Sequence, residues 1–190
     1  MLLNNKELIT RLQKRITDQL AFINGELEGI PTDSLNFRPG KGKWSALECI
    51  EHLNLVFELY LPRISKQLKK SRLKFSDSYS TGFFGDRMVS SMEPKGGEII
   101  YPMKTFRSLK PERSQGNKKI VIAQFQEHME LLNIQMEKSE KIDLGSIRIK
   151  SAIGIVFRFK LGDCYRFLLA HNERHLLQCR KALKVLATHQ

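Results

Sequence analysis

Apolar residues return at intervals of three and four through four stretches of this chain, with polar residues filling the positions between. Leu8, Leu12, Ile16, Leu20, Ile23 and Leu27 make one stripe of a helix predicted over residues 5–29, stopped by Gly29 and Pro31. Residues 31–43 are polar and rich in Gly and Pro, and read as a loop with turn chemistry at Asn36-Phe37-Arg38-Pro39-Gly40. A second helix opens at Ser45, because Glu48 stands three residues on, the spacing at which hydroxyl and carboxylate cap each other's amides. His52 falls on its inward stripe with Cys49, Leu55, Val56 and Leu59, and Pro62 is expected to kink the helix or start a new one.

Residues 75–115 lack a sustained period and mix glycines and prolines with Tyr79, Phe83, Phe84, Tyr101 and Phe106. They are predicted to be a long irregular excursion that packs on the helices, over one end as a lid. The helical period resumes over 115–141, with Ile122, Phe125, Met129, Leu132 and Met136 on one face and His128 on its flank. Residues 147–160 read as a short strand at Ile147-Arg148-Ile149-Lys150 or as irregular helical turns around Gly154. A last helix runs from Asp163, read as its N-cap, to about Ala187. Its buried stripe holds Cys164, Phe167, Leu168, His171, His175, Ala182, Val185 and Leu186, with Asn172, Glu173 and Leu177 pointing elsewhere. The fold class is therefore all-α, and 190 residues suit a single domain with a sizeable core.

Composition narrows the setting. Met1-Leu2-Leu3 leads straight into Asn4, Asn5, Lys6 and Glu7, with no apolar region of a signal peptide, and no run reaches the roughly 18 apolar residues of a membrane span. A cytoplasmic protein without a membrane partner is expected. Cys49, Cys164 and Cys179 form no C-x-x-C pair and read as reduced, buried thiols, with Cys49 notable for preceding His52 by one turn. Residues 60–119 hold 14 Lys/Arg against 5 Asp/Glu, so one segment carries nine of the net +12 charges. That surplus supports a second reading, a non-catalytic module using residues 60–119 on nucleic acid or another polyanion. The absence of a zinc finger or RNP signature weighs against nucleic acid.

The candidate chemistry lies in the histidines. His171 and His175 sit four apart, one above the other on one helical face, and can bind one metal ion. Two imidazoles in an apolar seam find few hydrogen-bond partners, a demand that a shared metal meets. His52, inward on another helix, would complete a three-imidazole site with an open position. Glu173 is third, not second, in the run from His171 to His175, so the glutamate base of an H-E-x-x-H protease does not follow. Glu48, one turn before His52, is a candidate catalytic proton acceptor as well as a helix cap.

The run Gly42-Lys43-Trp44-Ser45-Ala46-Leu47-Glu48-Cys49-Ile50-Glu51-His52-Leu53, followed far downstream by His171-Asn172-Glu173-Arg174-His175-Leu176-Leu177-Gln178, resembles the DinB-like (YfiT-like) metalloenzyme superfamily. The lead-in Leu35-Asn36-Phe37-Arg38-Pro39 fits as well. The resemblance implies a four-helix bundle in up-down-down-up order, the excursion at 75–115 serving the long crossover, with His52, His171 and His175 at the metal-ligand positions. It also implies a divalent metal, zinc or nickel, and for some relatives a low-molecular-weight thiol: bacillithiol, mycothiol or glutathione in S-transferases and isomerases. The expected activity is that of a metal-dependent transferase or hydrolase in which the metal activates a thiol or water for attack on a small electrophilic substrate. Relatives of this kind are often dimers, which implies a homodimer.

Overall fold

Each apolar stripe becomes a long helix in the computed structural model, which describes residues 2–70, 74–111, 117–152 and 157–188. A three-residue strand β1 (Leu2–Asn4) leads into α1 (Asn5–Phe22), whose N-cap Asn4 accepts the Glu7 amide at 3.1 Å. The helix continues as a wider π turn over Ile23–Leu27. Within the stretch read as a loop lies a short helix α2 (Thr32–Asn36), which buries Leu35. Next comes α3 (Ala46–Leu68), opened by the predicted capping box of Ser45 and Glu48.

Pro62 neither ends nor restarts α3, which runs on to Leu68. Proline removes one amide donor, and here it sits on the exposed side while Tyr60, Leu61 and Ile64 beside it are buried and hold the turn.

The excursion is more regular than its sequence suggests. It contains β2 (Ser78–Ser80), which pairs antiparallel with β1, then α4 (Phe83–Met92) and a 3-10 turn over Arg107–Leu109. The buried positions of α4 are Gly85, Val89 and Met92, a helical stripe that begins on a residue carrying no apolar signal. Glycine is required there, since a Cβ at Gly85 would stand 2.3 Å from the Asp163 carboxyl carbon. Gly162 plays the same part from the other side, where a Cβ would meet the Tyr79 ring at 2.7 Å.

Helix α5 (Lys118–Lys138) buries all five residues of its predicted stripe. Then β3 (Arg148–Lys150) and β4 (Arg158–Lys160) pair antiparallel, so the strand reading of this region holds; Gly154 lies outside the described residues, as does His189. The last helix, α6 (Leu161–Ala187), starts two residues before Asp163. Asp163 is therefore not the N-cap. Its buried carboxylate instead accepts the Tyr79 hydroxyl, the Gly82 amide at 3.0 Å and Arg166 at 3.2 Å, tying β2 and α4 to α6.

Helix α6 packs on α1, α3 and α4 and is consequently buried on nearly every side. That is why Asn172, expected off the stripe, is buried too, donating to Gln19 Oε1 at 3.0 Å. The other long contacts are α3 with α5 and α1 with α5. No helix among the described residues is long and apolar enough to cross a membrane.

Candidate metal centre

Helices α3 and α6 lie side by side, with Cys179 Sγ 3.3 Å from the Ala46 carbonyl near one end of the contact and the Tyr60 ring beside Phe167 near the other. Between these points the two inward stripes bring His52, His171 and His175 together. Their exposures are 3%, 8% and 5%, so solvent serves none of the rings well. Nε2 of His171 stands 3.3 Å from Nε2 of His52 and 3.2 Å from Nε2 of His175. One ligand atom from each ring lies within 4.8 Å of the others, and among the described residues this is the one such group of three.

The protons can be followed. His52 Nδ1 lies 2.6 Å from the Leu109 carbonyl, which can only accept, so Nδ1 carries the hydrogen and a neutral His52 presents a lone pair at Nε2. His171 Nε2 is either a donor or an acceptor. If it donates to His52, it has no lone pair for His175; if it accepts from His175, two lone pairs face each other across 3.3 Å. Either arrangement leaves one Nε2 without a directed partner. A cation that accepts all three lone pairs removes the conflict, so the donor set fits a metal.

Burial pushes all three imidazoles below the ordinary histidine range, His171 and His175 furthest. The neighbouring rings and Arg174 add to the shift for His171 and His175, while the Leu109 carbonyl works against it at His52. Neutral rings are the form that ligates. Nδ1 of His171 and Nδ1 of His175 are buried with no hydrogen-bond partner among the described residues. The Gln178 side chain is near enough to His175 to favour its charged form without completing a bond to Nδ1. Among the described residues, the Leu109 carbonyl is the backbone acceptor that orients one of these rings.

Aromatic side chains wall the group. Trp44 stacks on His175 at 5.7 Å between centroids and tilts over His52 at 5.0 Å, and Phe167 stacks on His171 at 5.7 Å. Residues 98–109 are held against α6 and α3 where Arg174 donates to the Tyr101 carbonyl at 2.7 Å, where Lys181 pairs with Glu98, and where the Leu109 carbonyl meets His52. These contacts make residues 98–109 a strap tied to His52 and to α6. Leu109, Trp44 as a ring wall, and Arg174 were not predicted as site residues. A backbone carbonyl leaves no mark in a sequence, and the one signal available was Trp44 immediately before the cap.

Glu48 is placed differently from the histidines. Burial alone would raise its pKa, but the Arg38 guanidinium, which grips both carboxylate oxygens, and the Ser45 amide at 2.9 Å bring it below the usual range. Among the described residues it makes no hydrogen bond to a histidine. Cys49 is buried against Cys179, and that contact together with desolvation raises its thiol well above the usual range, keeping it protonated. His128, on the flank of its stripe as predicted, is half-buried against Asn54 Oδ1 at 3.2 Å.

A family model for the DinB superfamily matches residues 15–179, which includes all three histidines. The chain matches no curated protein and no solved structure.

Proposed function

The chain belongs to the DinB superfamily, and from that premise we propose that it is a metal-dependent enzyme, a thiol-dependent S-transferase or a hydrolase acting on a small electrophile. The observation that carries the reading is the convergence of three buried imidazoles, one ligand nitrogen of each lying within 4.8 Å of the others. In this reading His52, His171 and His175 hold a divalent cation, zinc or nickel. When bound, such a cation supplies the charge that makes a thiol or a water anionic near neutral pH.

The remaining roles fall to the chain itself. The Leu109 carbonyl fixes the His52 tautomer, Trp44 and Phe167 hold the rings and exclude water, and exposed Lys104, Arg107 and Lys110 on the strap draw an anionic thiol toward the site. Glu48 is assigned to the loop before α3, because Arg38 and Ser45 occupy both its oxygens. The same reading takes the four long helices as an up-down-down-up bundle in the cytoplasm. Support for that order comes from Asn54 on Val121 and Ser65 on Gln135, which set α3 and α5 parallel, and from Gln13 on Asn133 with Lys118 on Ile30, which set α1 against α5.

Metal analysis of untagged protein tests it. About one equivalent of metal is expected in the wild type and essentially none in His171→Ala. Less than about half an equivalent in the wild type, or unchanged content in the variant, overturns the reading.

A further inference from the structure

A cleft of about 560 Å³ opens beside the histidines, a size that suits a small organic molecule. Its floor is the outer continuation of the His52 stripe of α3. At about 100° and 1.5 Å per residue, Leu59 and Arg63 point within about 20° of His52 and stand about 10.5 and 16.5 Å further along the axis. Leu55 and Leu59 line the cleft from the helix, and Phe106 and Leu109 from the strap. Leu109 is the partition between cleft and histidines, since its carbonyl holds His52 while the residue lines the cleft.

The far end is cationic. Arg63 and Lys150 both border it, and Arg63 is fixed in place: Nη1 donates to the carbonyls of Lys150 at 2.8 Å and Ser151 at 3.3 Å, and the guanidinium lies 5.9 Å from the Tyr60 ring centre. Its Nε and Nη2, the edge that takes a carboxylate with two parallel hydrogen bonds, are not used in those contacts. Among the described residues at the rim the acidic group is Glu58, which accepts from Gln124 at 2.7 Å.

We propose that this cleft binds an elongated apolar molecule ending in a carboxylate, with the carboxylate on the Nε/Nη2 edge of Arg63, which makes no hydrogen bond among the described residues, beside Lys150, and the apolar chain running along Leu59 toward Leu109. Naming that molecule as the substrate rests on the metal-centre reading; the binding itself does not. Octanoate, with octan-1-ol as the uncharged control, tests it by calorimetry and by leucine methyl NMR. Octanoate is expected to bind at least about tenfold more tightly than octanol. Arg63→Gln should remove that margin, and Lys150→Glu, at an exposed position where folding is not at stake, should reduce it. The methyl signals of Leu55, Leu59 and Leu109 should move. Equal binding of acid and alcohol, a margin that survives both substitutions, or shifts confined to other leucines overturns the proposal. The same titration on His171→Ala keeps the two readings apart. Octanoate binding retained there is expected; if the wild type holds no metal yet keeps the margin, the cleft stands and its tie to the metal falls, and metal without the margin removes the cleft alone.

Discussion

Helix α6 carries two buried polar clusters eight residues apart, and they are completed in opposite ways. Near its start, the Asp163 carboxylate takes the Tyr79 hydroxyl, the Gly82 amide and Arg166, and Arg166 in turn pairs with Asp86, which also accepts from Thr81. All four carboxylate oxygens there meet a donor of the chain, with Asp86 and Asp163 sharing the one guanidinium of Arg166. Further along, His171 directs Nε2 at both His52 and His175, while Nδ1 of His171 and of His175 has no hydrogen-bond partner among the described residues. A buried polar group without a partner costs about 1–3 kcal/mol, so the first cluster maintains the fold and the second is maintained at the fold's expense. The contrast marks the histidines as a buried donor set whose chemistry fits a metal.

The comparison can be broken most sharply at the closed cluster. Asp163→Ala leaves Arg166 short of a partner and Tyr79 without its acceptor, and is expected to lower the unfolding free energy by about 3 kcal/mol in urea titrations. A loss below about 1 kcal/mol would mean that the network does not hold α4 to α6. At the open cluster the gain comes from outside. Zinc at a hundredfold excess over its Kd should stabilise the wild type by about 2.7 kcal/mol, and a chelator should reverse this. If the two clusters are independent, a folded Asp163→Asn protein gains as much.

A smaller effect of opposite sign separates them further. His171→Leu should abolish the zinc gain yet raise the stability of the metal-free protein by about 1 kcal/mol, because an apolar side chain replaces an orphaned polar one. A destabilised metal-free variant would show that the imidazole is already satisfied. The smallest change is expected at Glu48→Gln, which keeps a capping side chain and gives up the charge facing Arg38. It should retain the metal and lose about 1 kcal/mol at neutral pH. Because the folded carboxyl titrates below its ordinary 4.5, that contribution is present above pH 4.5 and disappears as the pH falls through the folded value, where variant and wild type converge. Loss of turnover with metal and fold intact would return Glu48 to the chemistry.

What the chain shows before folding follows the same division. Stripes of apolar side chains, the Ser45–Glu48 cap and the inward placement of three histidines could be read from spacing, because side-chain type and helical period decide them. Contacts made by glycine or by backbone could not. Helix α4 leaves no helical stripe in the sequence because its buried face starts at Gly85 and its most visible aromatics, Phe83 and Phe84, face outward. Asp163 looked like a cap because local sequence favours one, whereas its partners Tyr79 and Gly82 are more than eighty residues away. The hydrogen bond between His52 and Leu109 spans 57 residues and uses no side chain of Leu109.

That last contact has a consequence for how the protein can vary. Since the group that orients His52 is a main-chain oxygen, replacing Leu109 by another residue leaves the acceptor in place, while inserting or deleting a single residue between Tyr101 and Leu109 displaces it. The site is buffered against spelling changes in the strap and exposed to changes in its length, so the number of residues spanning the Arg174 and His52 anchor points acts as the gauge that sets the ring.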